Sequence, residues 1–353
     1  MKSVYERLAQ ALDLLPGGFP RTKSHVELKI LKKIFAPEEA LVASNMSSTS
    51  EPADVIAKRA SLPVEEVEKR LKAMLGRDII WGSQKDGIPR YRLAPYIVGF
   101  YESQWKIIDP EFARLHEQYW NEGGAEGIMR PEPALHRVVP AQQALKTEFI
   151  LPYDDIKSLL LKAKWFNLID CICRKQQDIL GSRKCDFPIR TCLIFSTVER
   201  PAGSHTITQA EALKLLDEVE EIGLVHTVSN VARGVFYVCN CCGCCCGILR
   251  GITQFGIAHS VARANYYAVV DTEKCNGCAT CADRCQVNAC STDDVATIDV
   301  TKCIGCGLCV TGCPSEAVKL KLRPDAEVIP PPEDYKAWEQ QRLRHRGLLK
   351  PEH

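Results

Sequence analysis

Residues 275–285 read CNGCATCADRC and residues 303–314 read CIGCGLCVTGCP. Each stretch carries the spacing C-x2-C-x2-C-x3-C, first on Cys275, Cys278, Cys281 and Cys285, then on Cys303, Cys306, Cys309 and Cys313, with Pro314 closing the second copy. Three thiols two residues apart lie along one tight loop, and a fourth is set three residues further on. A packing role does not require this period, and a repeat of it within 40 residues points to paired metal centres. A zinc reading applies to any C-x2-C, but the duplicated four-cysteine run speaks against it.

The stretch from Tyr266 to about Leu322 resembles the bacterial-type ferredoxin domain with two [4Fe-4S] clusters. The resemblance implies that the fourth cysteine of each run serves the other cluster. Cluster one would then be held by Cys275, Cys278, Cys281 and Cys313, and cluster two by Cys303, Cys306, Cys309 and Cys285. Gly277, Ala279, Gly305 and Gly307 are small enough to let backbone amides approach cluster sulfides, one lever on reduction potential. Two positions depart from the family pattern. Gln286 stands where a proline normally follows the fourth cysteine, and Cys290 occupies the place of Val318 in the second copy, an apolar packing position.

The chain has 19 cysteines in 353 residues, and the first 170 residues contain none. Setting aside the eight repeat cysteines and Cys290 leaves ten: Cys171, Cys173, Cys185, Cys192, Cys239, Cys241, Cys242, Cys244, Cys245 and Cys246. Six of these fall in CNCCGCCCG, residues 239–247. Extended backbone would place Cys171 and Cys173 on one side, and likewise Cys239 and Cys241, so two sulfur pincers from distant segments could close on one metal centre. A dithiol reading needs only two cysteines, and vicinal disulfides are strained. Zinc or copper storage uses the same donors. One or two further iron–sulfur clusters are the favoured expectation. The segments CICR and CNCC loosely resemble those of multi-cluster iron–sulfur proteins of anaerobes. Cys241-Cys242-Gly243 also resembles the CCG motif of heterodisulfide-reductase-like subunits, but the partner C-x2-C of that motif is absent and its chemistry is not carried over. Arg174 and Lys175 read either as cations beside an anionic cluster or as a solvated pair. His205, His226 and His259 are isolated and are not read as ligands.

The rest of the sequence frames these motifs. Net charge +1 argues against a globally basic nucleic-acid binder. Charged residues break the apolar positions of the first 20 residues, and no uninterrupted apolar run reaches 18, so neither an export signal nor a membrane span is expected and the expected location is cytoplasmic. No GxGxxG or Walker-type loop occurs. Val26 to Tyr96 resembles a winged helix-turn-helix: an amphipathic segment at 25–35, a helix with Val64, Val67, Leu71 and Leu75 on one face and Ser61 as N-cap, then a hairpin turning at Asp86-Gly87. Glu65, Glu66 and Glu68 at the start of that helix would repel phosphates, which disfavours DNA binding. TQAEALKLLDEVEEI, residues 208–222, predicts a helix with a Thr208–Glu211 capping box and Gly223 behind it.

The expected architecture is an α+β multidomain chain: a winged-helix-like domain at 1–120, a linker at 121–133, a cysteine-rich α/β middle domain at 134–262, a ferredoxin-like dicluster domain at 263–323 and a solvated tail at 324–353. The expected function is electron transfer, alone or as a subunit of a larger redox complex with protein partners. The alternatives are a reductase or activase with an open-site cluster in the middle domain, and a redox-sensing winged-helix regulator.

Overall fold

The computed structural model describes residues 2–145 and 150–350. The chain forms two compact units, one of residues 1–131 and 339–353, the other of residues 132–338.

The first unit is mostly helical. It contains α1 (Val4–Asp13), α2 (Val26–Ile34), α3 (Pro37–Ala43), α4 (Ala53–Ala60) and α5 (Val64–Gly76), then a hairpin of β1 (Ile80–Lys85) and β2 (Ile88–Leu93), then α6 (Pro110–Tyr119) and α7 (Ala125–Met129). Leu93 pairs with Ile80 at the open end of the hairpin, and Glu51, just before α4, bridges Tyr91 of β2. The buried face of α5 is Val67, Leu71 and Met74, the i, i+4, i+7 stripe, whereas Val64 is exposed. Ser61 does not cap α5. It closes α4 with φ 54°, and α5 begins after Pro63.

Two segments expected to be solvated are packed. Residues 121–133 are no linker: Gly124, Ala125, Ile128 and Met129 are buried there. At the C-terminal end, Arg342 is fully buried and donates to the carbonyls of Pro16 (2.8 Å), Pro131 (2.5 Å) and Ile128. Carbonyls left unpaired at chain turns provide a guanidinium with its acceptors, which is why a polar tail can be buried.

The second unit is built on a mixed seven-stranded sheet. In chain order its elements are β3 (His136–Val139), α8 (Ile156–Lys162), β4 (Trp165–Asp170), α9 (Ile172–Ile179), β5 (Arg190–Ser196), β6 (Thr206–Ile207), α10 (Gln209–Ile222), β7 (Val225–Ser229), β8 (Tyr237–Cys241), α11 (Leu249–Thr253) and β9 (Val261–Ala262). The strand order is β6-β4-β5-β8-β7-β3-β9, antiparallel apart from the β3–β9 pair. Leu160, Phe166, Leu193, Leu216, Val228 and Val238 form its core, and Cys242 and Cys245 belong to the same cluster. The Thr208–Glu211 capping box opens α10, and Gly223 at φ 96° ends it.

The same unit continues into β10 (Tyr266–Val270), α12 (Thr280–Asp283), β11 (Cys290–Thr292), β12 (Ala296–Ile298), α13 (Leu308–Thr311) and β13 (Val318–Leu322). β10 pairs antiparallel with β13, and β11 with β12. The last helix, α14 (Tyr335–His345), runs from the second unit into the segment grouped with the first. Among the described residues no helix is long and apolar enough to cross a membrane.

Candidate metal centres

The two cysteine runs occupy equivalent loops, each ending in a one-turn helix, α12 or α13. Gly277 and Gly305 both have left-handed backbone (φ 70° and 72°). A Cβ on Gly305 would lie 2.3 Å from the carbonyl of Tyr266, so the loop folds this tightly only with glycine there. Cys285, Cys303, Cys306 and Cys309 line one small pocket with Ile304, Leu308 and Val287. This donor set suits a cube: four cysteines border one largely apolar pocket, and backbone amides of the two runs point at cysteine sulfurs. Ala289 N–H donates to Cys285 Sγ (3.1 Å), Ala296 N–H to Cys275 Sγ (3.3 Å) and Ala317 N–H to Cys313 Sγ (3.3 Å). Burial pushes Cys306 up to about 12 and Cys309 upward as well, so these thiols ionise only with a cation to hold them. Cys290 lines the same pocket, and burial there pushes its thiol up to about 12.

The ten remaining cysteines converge in two sets. In the first, each thiol acts on the ionisation of two others, so that the influences close a ring in the order Cys171, Cys173, Cys246, Cys241, Cys239, Cys192. Cys171 and Cys173 are not on one strand, as the extended reading had it. Cys171 is the N-cap of α9 and Cys173 lies in its first turn, so a strand-to-helix junction brings the two thiols together. Cys192 comes from β5, and Cys239 and Cys241 project on one side of β8. In the second set, Cys185 Sγ lies 3.8 Å from Cys242 Sγ and 3.7 Å from Cys245 Sγ, and Cys244 Sγ lies 3.6 Å from Cys245 Sγ. All four sulfurs lie within 4.8 Å of one another, a condition that no three sulfurs of the ring or of the cysteine repeat meet among the described residues.

Arg174 sits between the two sets. It is fully buried, and its guanidinium donates to the carbonyls of Pro188 and Asn240 and to Thr191 Oγ1 (2.9 Å), while Nε–H has no partner. The anionic groups that act on it are Cys171, Cys242, Cys192 and Cys241; burial disfavours its charge, yet these sulfurs override burial and raise its pKa. Negative charge on these sulfurs would offset part of the cost of burying the guanidinium. Lys175, by contrast, reaches Asp170 (3.4 Å) near the surface. Without metal only part of each set ionises: hydrogen bonds from Cys173 and Cys192 hold Cys171 low, and those from Cys244 and Cys245 hold Cys242 low, while Cys244 is pushed up to about 12. A bound cation takes the place of the remaining protons.

His226 is a structural histidine. Its ring is buried between Glu220 Oε1 (3.0 Å) and Asn240 Oδ1 (2.6 Å). Sequence reasoning missed the role of Gln286. Its Oε1 accepts from Gly243 N–H (2.9 Å) and its Nε2 donates to the carbonyl of Gly223 (3.1 Å). The departure from proline was the signal available in the sequence.

Residues 296–319 match the family model of the Fer4 4Fe-4S binding domain, which spans the second cysteine run. No curated protein and no solved structure matches the chain. The chain therefore carries a ferredoxin-type iron–sulfur domain near its C-terminal end, next to a cysteine cluster able to bind metal.

Proposed function

We propose that this protein is an electron-transfer protein or redox-complex subunit with two [4Fe-4S] clusters in the ferredoxin-type domain and a further polynuclear iron–sulfur centre in the six-thiol ring. Arg174 supports the reading of the ring: it is buried, and Cys171, Cys242, Cys192 and Cys241 act on its charge, so a thiolate-bound centre there would have a cation beside it. A ring of six thiolates, too open for one ion, suits such a centre. When bound, a [4Fe-4S] cube supplies one-electron chemistry whose potential follows charge, hydrogen bonding and exposure.

The chain's own residues impose an order on the centres. Cys278, in the cluster-one set, is exposed, which would make cluster one the edge open to a partner. Cys303 is buried, and the cluster-two cavity lies on the side of Arg284 and Gln286, which clamp the carbonyls at the end of α10. Asn240 and His226 join that helix end to Arg174. Electrons would therefore pass between the ring, cluster two and cluster one, and leave to a protein acceptor at the exposed edge. The α4–α5 pair followed by a hairpin supports a winged-helix-like docking module in the first unit, with Glu65 and Glu66 on its surface.

Iron and acid-labile sulfide should be measured on anaerobically purified chain. The two cubes alone account for about eight irons, and the ring should add to that number together with sulfide. Reductive titration followed by spin resonance should show at least two interacting one-electron centres. A total of eight irons with all six ring thiols open to alkylation would remove the ring centre. Clusters that neither accept nor return electrons would remove the electron-transfer reading.

A further inference from the structure

We propose that Cys185, Cys242, Cys244 and Cys245 bind a single tetrahedrally coordinated zinc or iron ion, a mononuclear tetrathiolate centre separate from every iron–sulfur cluster of the chain. The argument begins with size. A metal–thiolate bond of about 2.3 Å puts the sulfurs of a regular tetrahedron roughly 3.8 Å apart. The measured separations in this set are 3.8, 3.7 and 3.6 Å, with every pair inside 4.8 Å. A cube carries each thiolate on a different iron, so its ligand sulfurs stand apart by the width of the core. Among the described residues, no three sulfurs of the ferredoxin-type repeat come mutually within 4.8 Å, as such a core requires. One molecule thus contains both spacings, and the four-sulfur set has the tight one.

The surroundings also suit a single ion. Cys242 and Cys245 are buried in the core, while Cys185 and Cys244 are half-buried. Cys242, Cys244 and Cys245 come from one tight turn, and Cys185 closes the tetrahedron from a distant loop held by Arg183, whose Nε donates to the Cys185 carbonyl (2.7 Å). Both peptide groups of Gly243 are fixed: its N–H by Gln286 Oε1 (2.9 Å) and its carbonyl by Thr253 Oγ1 (2.9 Å). A Cβ on Gly243 would lie 2.0 Å from the carbonyl of Gln286, so the turn rests directly on the backbone next to Cys285. Thiophilic ions of borderline softness with tetrahedral preference fit four thiolates, which selects zinc and iron. Zinc would act as a structural staple between the loops; iron would add a one-electron centre one residue from the Cys285 ligand.

The proposal does not depend on the electron-transfer reading, and the two fail separately. X-ray absorption at the zinc and iron edges of the wild-type chain, with Mössbauer spectroscopy of iron-57-enriched protein, needs no variant. Either a zinc with four sulfurs at about 2.3 Å and no metal neighbour, or one uncoupled tetrahedral thiolate iron, is the expected result. Cys244→Ser and Cys185→Ser should each lower the metal content by one ion per chain and leave labile sulfide and the cluster spin signals unchanged. Absence of zinc with every iron exchange-coupled would overturn the proposal. Loss of several irons together with sulfide in either variant would overturn it as well, by making the set part of a cluster.

Discussion

The two cysteine regions of the second unit reach metal-binding geometry by opposite routes. In 275–313 the cysteines lie in two local loops, each preorganised by left-handed positions such as Gly277 and Gly305. In 171–246 the cysteines sit at the ends of β4, β5 and β8 and in the loops that follow, and they meet only because the sheet aligns those ends. Local loops tolerate change elsewhere in the fold. Sites assembled from distant strands are exposed to any change that shifts one strand against another, and they depend on buried groups between them.

That contrast can be broken most directly at Arg174. Arg174→Met should destabilise the second unit by about 3–5 kcal/mol, because the anionic sulfurs lose their buried cation. Thermal unfolding and metal analysis would read it, with the iron of the ring lost and the ferredoxin-type spin signals retained; unchanged iron would mean that the ring does not rely on this charge. Gly243→Ala comes next. Its new methyl group meets the Gln286 carbonyl, so the turn must shift, at a cost of ~1–3 kcal/mol and with faster release of metal from the four-thiol set to a chelator. Gln286→Leu removes two hydrogen bonds of about 0.5–1.5 kcal/mol each and should speed chelator extraction more mildly. Retention of wild-type release rates in both variants would show that the turn is held without Gln286.

The smallest effect concerns acidity. Burial pulls His136 down to about 4. Its folded pKa is below the ordinary histidine value, so the unfolded chain takes up the proton first. Stability from this group is complete above about pH 6.5 and declines as the pH falls toward 4, with about 1 kcal/mol lost by pH 5.5. His136→Gln should flatten the difference in unfolding midpoint between pH 7 and 5.5, and an unchanged slope would assign the acid sensitivity to other groups.

Much of the fold could be read in the sequence where the signal was local. The capping box of Thr208 and Glu211, Gly223 behind α10 and the Asp86-Gly87 hairpin all rest on contacts within a few residues. The burial of residues 121–133 and of Arg342 was not legible, because their partners lie far away in the chain. The same holds for the face of α5, where Met74 rather than Val64 turns inward.

The sequence by itself determined that this chain carries a duplicated C-x2-C-x2-C-x3-C loop with its ferredoxin-type character, since ligand spacing within a loop is a property of the local chain. It also showed that ten further thiols needed a purpose. Only the tertiary structure divided those ten into a set of six and a set of four whose sulfurs lie within 4.8 Å of one another. It also put Arg174 between them and turned Gln286 from an irregularity into a contact with Gly243. The physical reason is that strand register and the packing of loop on loop decide which distant sulfurs meet, and six near-identical residues in nine positions carry no local mark of which partner each will find.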